Sequence, residues 1–447
     1  MIPGDRKALK DRLLDQARAM DSARNAQAAA TGRADPTSGH NPSTETRVAT
    51  TDFSSLEGYR RIAMLRTLGD SLGIASPFFR CHQCRAGATS RLDNQDVVNF
   101  ASYDYLGLAG DRRVLDATHQ AIEHYGTSVS ASRIVAGERP FHGALERALA
   151  DCYHSDDALA FVSGHATNVS TIAMLVGTRD LIIHDSLIHN SVVMGASVSG
   201  ATRMSFPHND VQALDRLLFD HRDRFERVLV VIEGHYSMDG DTPNLARFVE
   251  VKRRHHCWLM VDEAHSLGVL GATGLGLHQH CQVAPGDVDI WMGTLSKSLA
   301  SSGGYIAGCQ ALVDTLRYLA PGFLYSVGLA PQLAEPARRA LEVLQDEPWR
   351  TSRLAQNARR LLSGIQALGL NTGSSEGHAI VPLILGSSAK AAKLSHQLLR
   401  AGINVQPILH PAVPERSARL RFFVSCEHQP EQIDQTLSAL ERLTNTD

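Results

Sequence analysis

Lysine is scarce in this 447-residue chain: of 44 basic residues only Lys7, Lys10, Lys252, Lys297, Lys390 and Lys393 are lysines, so chemistry that needs an amine has few places to occur. Seven cysteines, an odd number scattered through a long chain, exclude a secreted disulfide framework. Net charge is close to absent, and -3 at pH 7 offers no broad attraction to nucleic acid or anionic lipid. No apolar run approaches the roughly 20 residues of a spanning helix. The N-terminal MIPGDRKALKDRLLDQARAM also lacks the apolar stretch of a secretory signal. A cytoplasmic protein with no membrane span is the expectation.

What is present suits a large buried core: 43% of residues are hydrophobic and 20% charged. Residues 6–21 place Leu9, Leu13, Leu14, Ala17 and Met20 at helical spacing, and 22–50, rich in Ala, Ser, Thr and Gly, have no period. Residues 1–50 therefore read as a flexible arm with a short amphipathic helix, and 51–110 as an N-terminal segment. From about residue 155 short apolar runs predict strands at 158–163, 181–184, 227–233, 257–262, 289–293 and 305–308, with helical stretches between several of them. Continuously apolar strands alternating with helices argue for an α/β fold, a mainly parallel sheet covered on both faces. Helix is predicted over 331–369, then two more strands (380–385, 419–425) alternate with helices near 388–400 and 430–443. The expected domains are a large one at 111–335 and a small α/β one at 336–447.

Ligands of open α/β sheets sit at the carboxyl ends of the strands, so the residues that follow each run belong together. After AFVS stands Gly164-His165, opening a helix whose N-terminal amides suit a phosphate. Ser237 follows LVVIE, Asp262-Glu263-Ala264-His265 follows WLMV, and Thr294-Leu295-Ser296-Lys297 follows DIWMG. Taken singly, such an Asp is often a helix cap and such a His structural. Together they bring phosphate, carboxylate, imidazole and amine chemistry to one edge. The DEAH tetrapeptide as the magnesium element of a helicase would need a GxxxxGK[ST] loop, and no lysine sits in one.

A pyridine ring remains an electron sink while its nitrogen keeps a proton, which a buried carboxylate such as Asp262 secures. An imine needs a partly desolvated amine, and Lys297 is the only lysine in a strand-end loop. The set points to pyridoxal 5'-phosphate, its phosphate on the Gly164 and His165 amides and the Thr294 hydroxyl.

These residues lie in VDEAHSLGVLGATGLG and GTLSKSLASSGG, which resemble the α-oxoamine synthases, a branch of the fold-type I pyridoxal-phosphate transferases. The similarity runs from about 75 to 445 through NFASYDYLGLA, GTSVSASRIVAGERPFHGALE, FVSGHATN, HDSLIHNSVVMGA, EGHYSMDGD and LRFFVS. The resemblance implies a large sheet domain with a small C-terminal one, in a homodimer with active sites at the interface. It makes Lys297 the Schiff-base lysine and general base, and Asp262 the pyridinium partner. It has His265 and Ser237 bind the ring's 3'-oxygen, His189 stack on the ring, and Arg421 bind a substrate carboxylate. The implied reaction is decarboxylative Claisen condensation of a small amino acid with an acyl thioester, giving an α-amino ketone.

Tyr103 stands near the implied substrate where many members have Asn. Val327-Gly328 replaces a Ser or Thr whose hydroxyl reaches the phosphate across the dimer, leaving only the Gly328 backbone. His165 replaces an aromatic residue. The lead-in PFFRCHQCRAGATSRLDNQDVVNF resembles members that work beside polyketide assembly lines, which suggests an acyl carrier protein rather than coenzyme A as donor. Cys81-His82-Gln83-Cys84 lacks a second ligand pair, so no metal site is read there. An aminotransferase or lyase on the same fold, and a non-catalytic subunit, are the alternatives.

Overall fold

The computed structural model describes residues 51–73 and 76–445; the arm read at 1–50 lies outside them. The chain divides at Phe79/Arg80 into two compact units. In the first, a 3-10 turn at Phe53–Ser55 precedes the helix Glu57–Leu72, which closes on Gly73 with φ 65°.

The second unit opens with a hairpin of β1 (Thr89–Leu92) and β2 (Gln95–Asn99). Then come β3 (Asp157–Phe161), β4 (Leu181–Asp185), β5 (Thr202–Phe206), β6 (Val228–Glu233), β7 (Trp258–Asp262), β8 (Ile290–Thr294) and β9 (Gly304–Gly308). These seven form one sheet in the order β3-β9-β8-β7-β6-β4-β5. Only β9 is reversed, pairing antiparallel with both β3 and β8, so the other six strands share a direction. Their carboxyl ends accordingly share one edge.

The strand residues alternate between two cores. Val228, Val230 and Ile232 face one, Leu229 and Val231 the other, and both sets are buried. That is why the run is apolar without a period-2 pattern. The edge strand β5, TRMSF, is mostly exposed and polar, and its run was not predicted.

Beyond the sheet the predicted 331–369 helix is two, Pro331–Asp346 and Trp349–Ala367. Pro348 starts the second and disfavours helical backbone at Glu347 before it. The strands β10 (Ile380–Ile384), β12 (Gln406–Ile408) and β13 (Arg419–Phe423) make an antiparallel sheet ordered β10-β13-β12, while β11 (Ile403–Asn404) joins β2 in parallel. Asn404 Nδ2 donates to Asn99 Oδ1 at 2.8 Å, tying that junction. Among the described residues no helix is long and apolar enough to cross a membrane.

Candidate active site

The last residues of adjacent strands build the site. Asp262 ends β7 and is buried; its Oδ2 accepts from Asn168 Nδ2 at 2.9 Å and its Oδ1 from the Ala264 amide at 3.0 Å. Asn168 lies four residues after Gly164 on the helix Gly164–Leu175, one turn deeper into the site. Its other Nδ2 proton goes to Ser191 Oγ at 2.9 Å. Ser191 Oγ is in turn 2.7 Å from His189 Nδ1. With the serine oxygen already accepting, its own proton points at Nδ1, so His189 carries hydrogen on Nε2. Burial holds that imidazole below its ordinary value; Asp262 opposes the effect and Lys297 adds to it. The His165 ring is exposed and lies edge-on to His189 at 6.5 Å between centroids.

Lys297, in the loop after β8, is partly exposed with Nζ 5.7 Å from the centre of the Tyr103 ring. Burial pushes its amine below the usual lysine range, with Asp262 and Glu233 pulling it back and Arg421 lowering it further. None of the other described lysines shares this setting: Lys252 is paired with Asp289 at 2.7 Å, and Lys390 and Lys393 are exposed.

His265 is buried and its Nδ1 is 2.8 Å from the Tyr105 hydroxyl. Burial, then Lys297 and Arg421, hold it well below the ordinary histidine value, so it is neutral. Ser237 is buried, with its amide donating to Glu233 Oε2 at 3.1 Å and its carbonyl accepting from Arg421 Nη1 at 2.8 Å. Arg421, on β13, has its Cζ 4.5 Å from the centre of the Phe423 ring and a buried Nε with no protein partner.

At the far end, Gly164 passes so close to β8 that a Cβ there would lie 3.0 Å from Thr294 Oγ1. Thr294 donates to the Gly303 carbonyl at 2.9 Å, so in its 2.7 Å contact with the exposed Ser296 the Ser296 hydroxyl is the donor. The Gly328 amide donates to Ala131 O at 3.0 Å, so even its backbone N–H is committed within the chain.

The strand-end reading grouped Gly164, His165, Ser237, Asp262, His265, Thr294 and Lys297, and the resemblance added His189, Tyr103 and Arg421; the structure links His189 to Asp262 through Ser191 and Asn168, sets the Tyr103 ring by Lys297 and puts Arg421 on the Ser237 carbonyl. The sequence reading missed Asn168, Ser191, Tyr105 and Glu233. Glu233 is the Cα partner of Asp262 on the neighbouring strand. Burial and then Asp262 push its carboxyl up to about 8. Taking the last residue of every strand, as well as the residues after it, would have found Glu233; the i, i+4 spacing from Gly164 would have found Asn168.

The aminotransferase class I and II family model matches residues 95–440. The chain is 36% identical to the 8-amino-7-oxononanoate synthase of Symbiobacterium thermophilum over 89% of its own length and 98% of that protein's. Its fold is similar to serine palmitoyltransferase of Sphingomonas wittichii, with a TM-score of 0.84 at 30% identity over 88% of this chain and 98% of that one. A high-resolution structure of SPT with PLP superposes with a TM-score of 0.83 at 30% identity, covering 88% and 99% of the two chains.

Proposed function

The chain belongs to the aminotransferase class I and II family, in its α-oxoamine synthase branch, and from that premise we propose that Lys297, Asp262, His189, His265, Ser237 and Arg421 run its condensation chemistry. The protein is a pyridoxal-phosphate-dependent C-acyltransferase. It joins an amino acid to an acyl thioester, releasing carbon dioxide and thiol and leaving an α-amino ketone.

The donor set fits the cofactor. A buried carboxylate is fixed for a ring nitrogen by Asn168, Gly164 leaves space beside Thr294 that a Cβ would crowd, and the orphaned Arg421 Nε awaits an anion. When bound, pyridoxal phosphate supplies an aromatic sink for charge developed on the amino acid's α-carbon. Asp262 would keep a proton on the ring nitrogen, and His189, oriented through Ser191, would face the ring. His265, held at Nδ1 by the Tyr105 hydroxyl, and the Ser237 hydroxyl would address the 3'-oxygen. The Gly164 and His165 amides, with Thr294 and Ser296, take the phosphate.

Lys297 would tether the cofactor, and its Nζ, already depressed toward the neutral amine, would take the substrate's α-proton. Arg421 binds the substrate carboxylate, and Tyr103 stands over the amine and limits the amino-acid side chain to a small one. The acyl donor in this reading is a carrier-protein thioester, supported by the 77–100 lead-in.

A homodimer and a cytoplasmic setting complete the proposal. Ile134, Val135, Val162, Tyr325 and Val327 are exposed, and the seven cysteines are all free. Two lobes meeting near residue 335 also fit, the seven-stranded sheet on one side and the β10-β13-β12 sheet on the other.

The observation that carries the reading is the Lys297 amine, depressed by burial and lying in the field of the buried Asp262. Borohydride treatment of the holoenzyme followed by peptide mapping should place the reduced cofactor on Lys297. Glycine, alanine and serine, each mixed with acyl-carrier or acyl-coenzyme A thioesters, should release carbon dioxide and free thiol with one of them. Lys297→Ala should lose imine absorbance and about 10²–10⁴-fold in rate from the missing base alone. Nitrogen transfer to a keto acid without thiol release would sink the condensation.

A further inference from the structure

We propose that His280, Glu376 and His378 form a binding site for one first-row divalent ion of the zinc class. Their ligand atoms all lie within 4.8 Å of one another. Zinc takes imidazole nitrogen and carboxylate oxygen at about 2.0–2.2 Å in a tetrahedron, which puts neighbouring donors roughly 3.4 Å apart. His378 Nε2 and Glu376 Oε2 are already 3.1 Å apart. The remaining contraction falls on His280, an exposed side chain ending the short helix Leu277–His280 and thus free to change rotamer.

A second observation at the same place points to a ligand. His235 is wholly buried, with its Nδ1 3.2 Å from the Asp241 carbonyl. Its Nε2 is buried and has no partner. The His235 ring meets His378 edge-to-face at 5.7 Å, and the His280 ring meets His378 at 5.0 Å. A plain His378–Glu376 ion pair accounts for two of these residues. It explains neither the His280 nitrogen beside them nor the unpartnered His235 Nε2.

Glu376 is also held as metal-bound carboxylates are: Thr242 Oγ1 donates to the same Oε2 at 2.8 Å, and the Glu376 amide donates to Gly240 O at 3.0 Å. An ion here would join the turn at 277–280 to the segment leading into β10, which Thr242 ties to the loop after β6. The ligands come from separate parts of the chain, so no local spacing announces them. The exposed Cys81–Cys84 pair is the competing place for a thiophilic ion.

The test uses the full-length holoenzyme, freed of metal by chelator dialysis and titrated with Zn²⁺ by calorimetry. Co²⁺ serves as a visible-absorption probe of nitrogen and oxygen ligation. The site predicts one equivalent bound, weakened more than about a hundredfold in His280→Ala and about 10–100-fold in Thr242→Val, which removes only the orienting hydroxyl. His280 is exposed, so its replacement should leave the fold intact, with cofactor absorbance as the check. Binding lost in His280→Ala and kept in Cys84→Ser supports the site; every other pattern, including no uptake by the unaltered protein, overturns it.

Discussion

Two carboxylates end neighbouring strands at the site, and burial treats them differently. Asp262 accepts from Asn168 and the Ala264 amide, whereas Glu233 is wholly buried, its Oε2 takes the Ser237 amide, and the His189 backbone is its other donor. With its value at about 8, Glu233 keeps its proton at neutral pH, so the Asp262 charge stands alone against the ring nitrogen. A carboxyl raised in the folded state contributes stability that is full below its unfolded value near 4.5 and is lost as pH rises through 8. Glu233→Gln imitates the protonated form. It should hold cofactor as tightly as the parent at pH 7, while melting curves from pH 5 to 9 lose part of the parent's alkaline decline; an unchanged slope would refute the assignment. For Arg421 the expectation is a change in KM. Arg421→Lys keeps the charge but not the planar fork, and should raise the amino-acid KM by roughly 10–100-fold, with the cofactor spectrum unchanged.

At the scale of elements, the loop from Gly234 to Asp241 places Ser237 under Arg421, and its shape depends on one histidine. His208, after β5, bridges Asp185 Oδ1 at 3.0 Å and Asp241 Oδ2 at 2.9 Å, with the Tyr236 ring edge-on at 4.4 Å. Burial alone would lower His208, but the bonds to Asp185 and Asp241 outweigh it and raise the imidazole to about 10. Its stabilising charge is therefore full below the ordinary value of 6.5 and is lost as pH climbs toward 10. His208→Gln should lower Tm at pH 7 and narrow its gap from the parent by pH 10, and should raise the amino-acid KM through the loosened Ser237 loop. A constant Tm gap across that range would mean that the charge is not what matters.

Elements were legible where burial writes itself into composition: β6 and β7 are buried on both faces and read as apolar runs. The exposed edge strand β5 carries no such signature. The reversal of β9 was not legible because GYIAG is as buried as its parallel neighbours, and composition does not encode direction. Lys297 was found by elimination and Asp262 by its place at a strand end. Tyr105 was not found, because its value to His265 arises from a contact between residues 160 positions apart.

At the scale of the molecule, the proposed homodimer would have to leave Gly328 out of the phosphate site. Gly328 has no side chain, its amide is spent on Ala131, and a Cβ there would come within 2.9 Å of Arg133 Cγ. A hydroxyl at this position is therefore sterically barred. Beside it runs a groove lined by Arg133, Val162, Phe323, Val327 and Gly328. Val135 at 80% exposure and Tyr325 at 87% add apolar surface around it that a lone chain would leave in water. An apolar patch of this kind suits the proposed dimer interface, and a stable one hides about 800 Å² per partner. A charge introduced into its middle must be desolvated without a counter-ion. Val135→Asp with Val327→Asp should weaken self-association at least about a hundredfold, read as a shift from dimer to monomer in sedimentation velocity at micromolar protein. Cofactor affinity and condensation rate should fall together with the dimer fraction, and recover at high protein concentration. A double variant that sediments as a dimer, or a monomer that keeps full activity, would show that each chain completes its phosphate site alone.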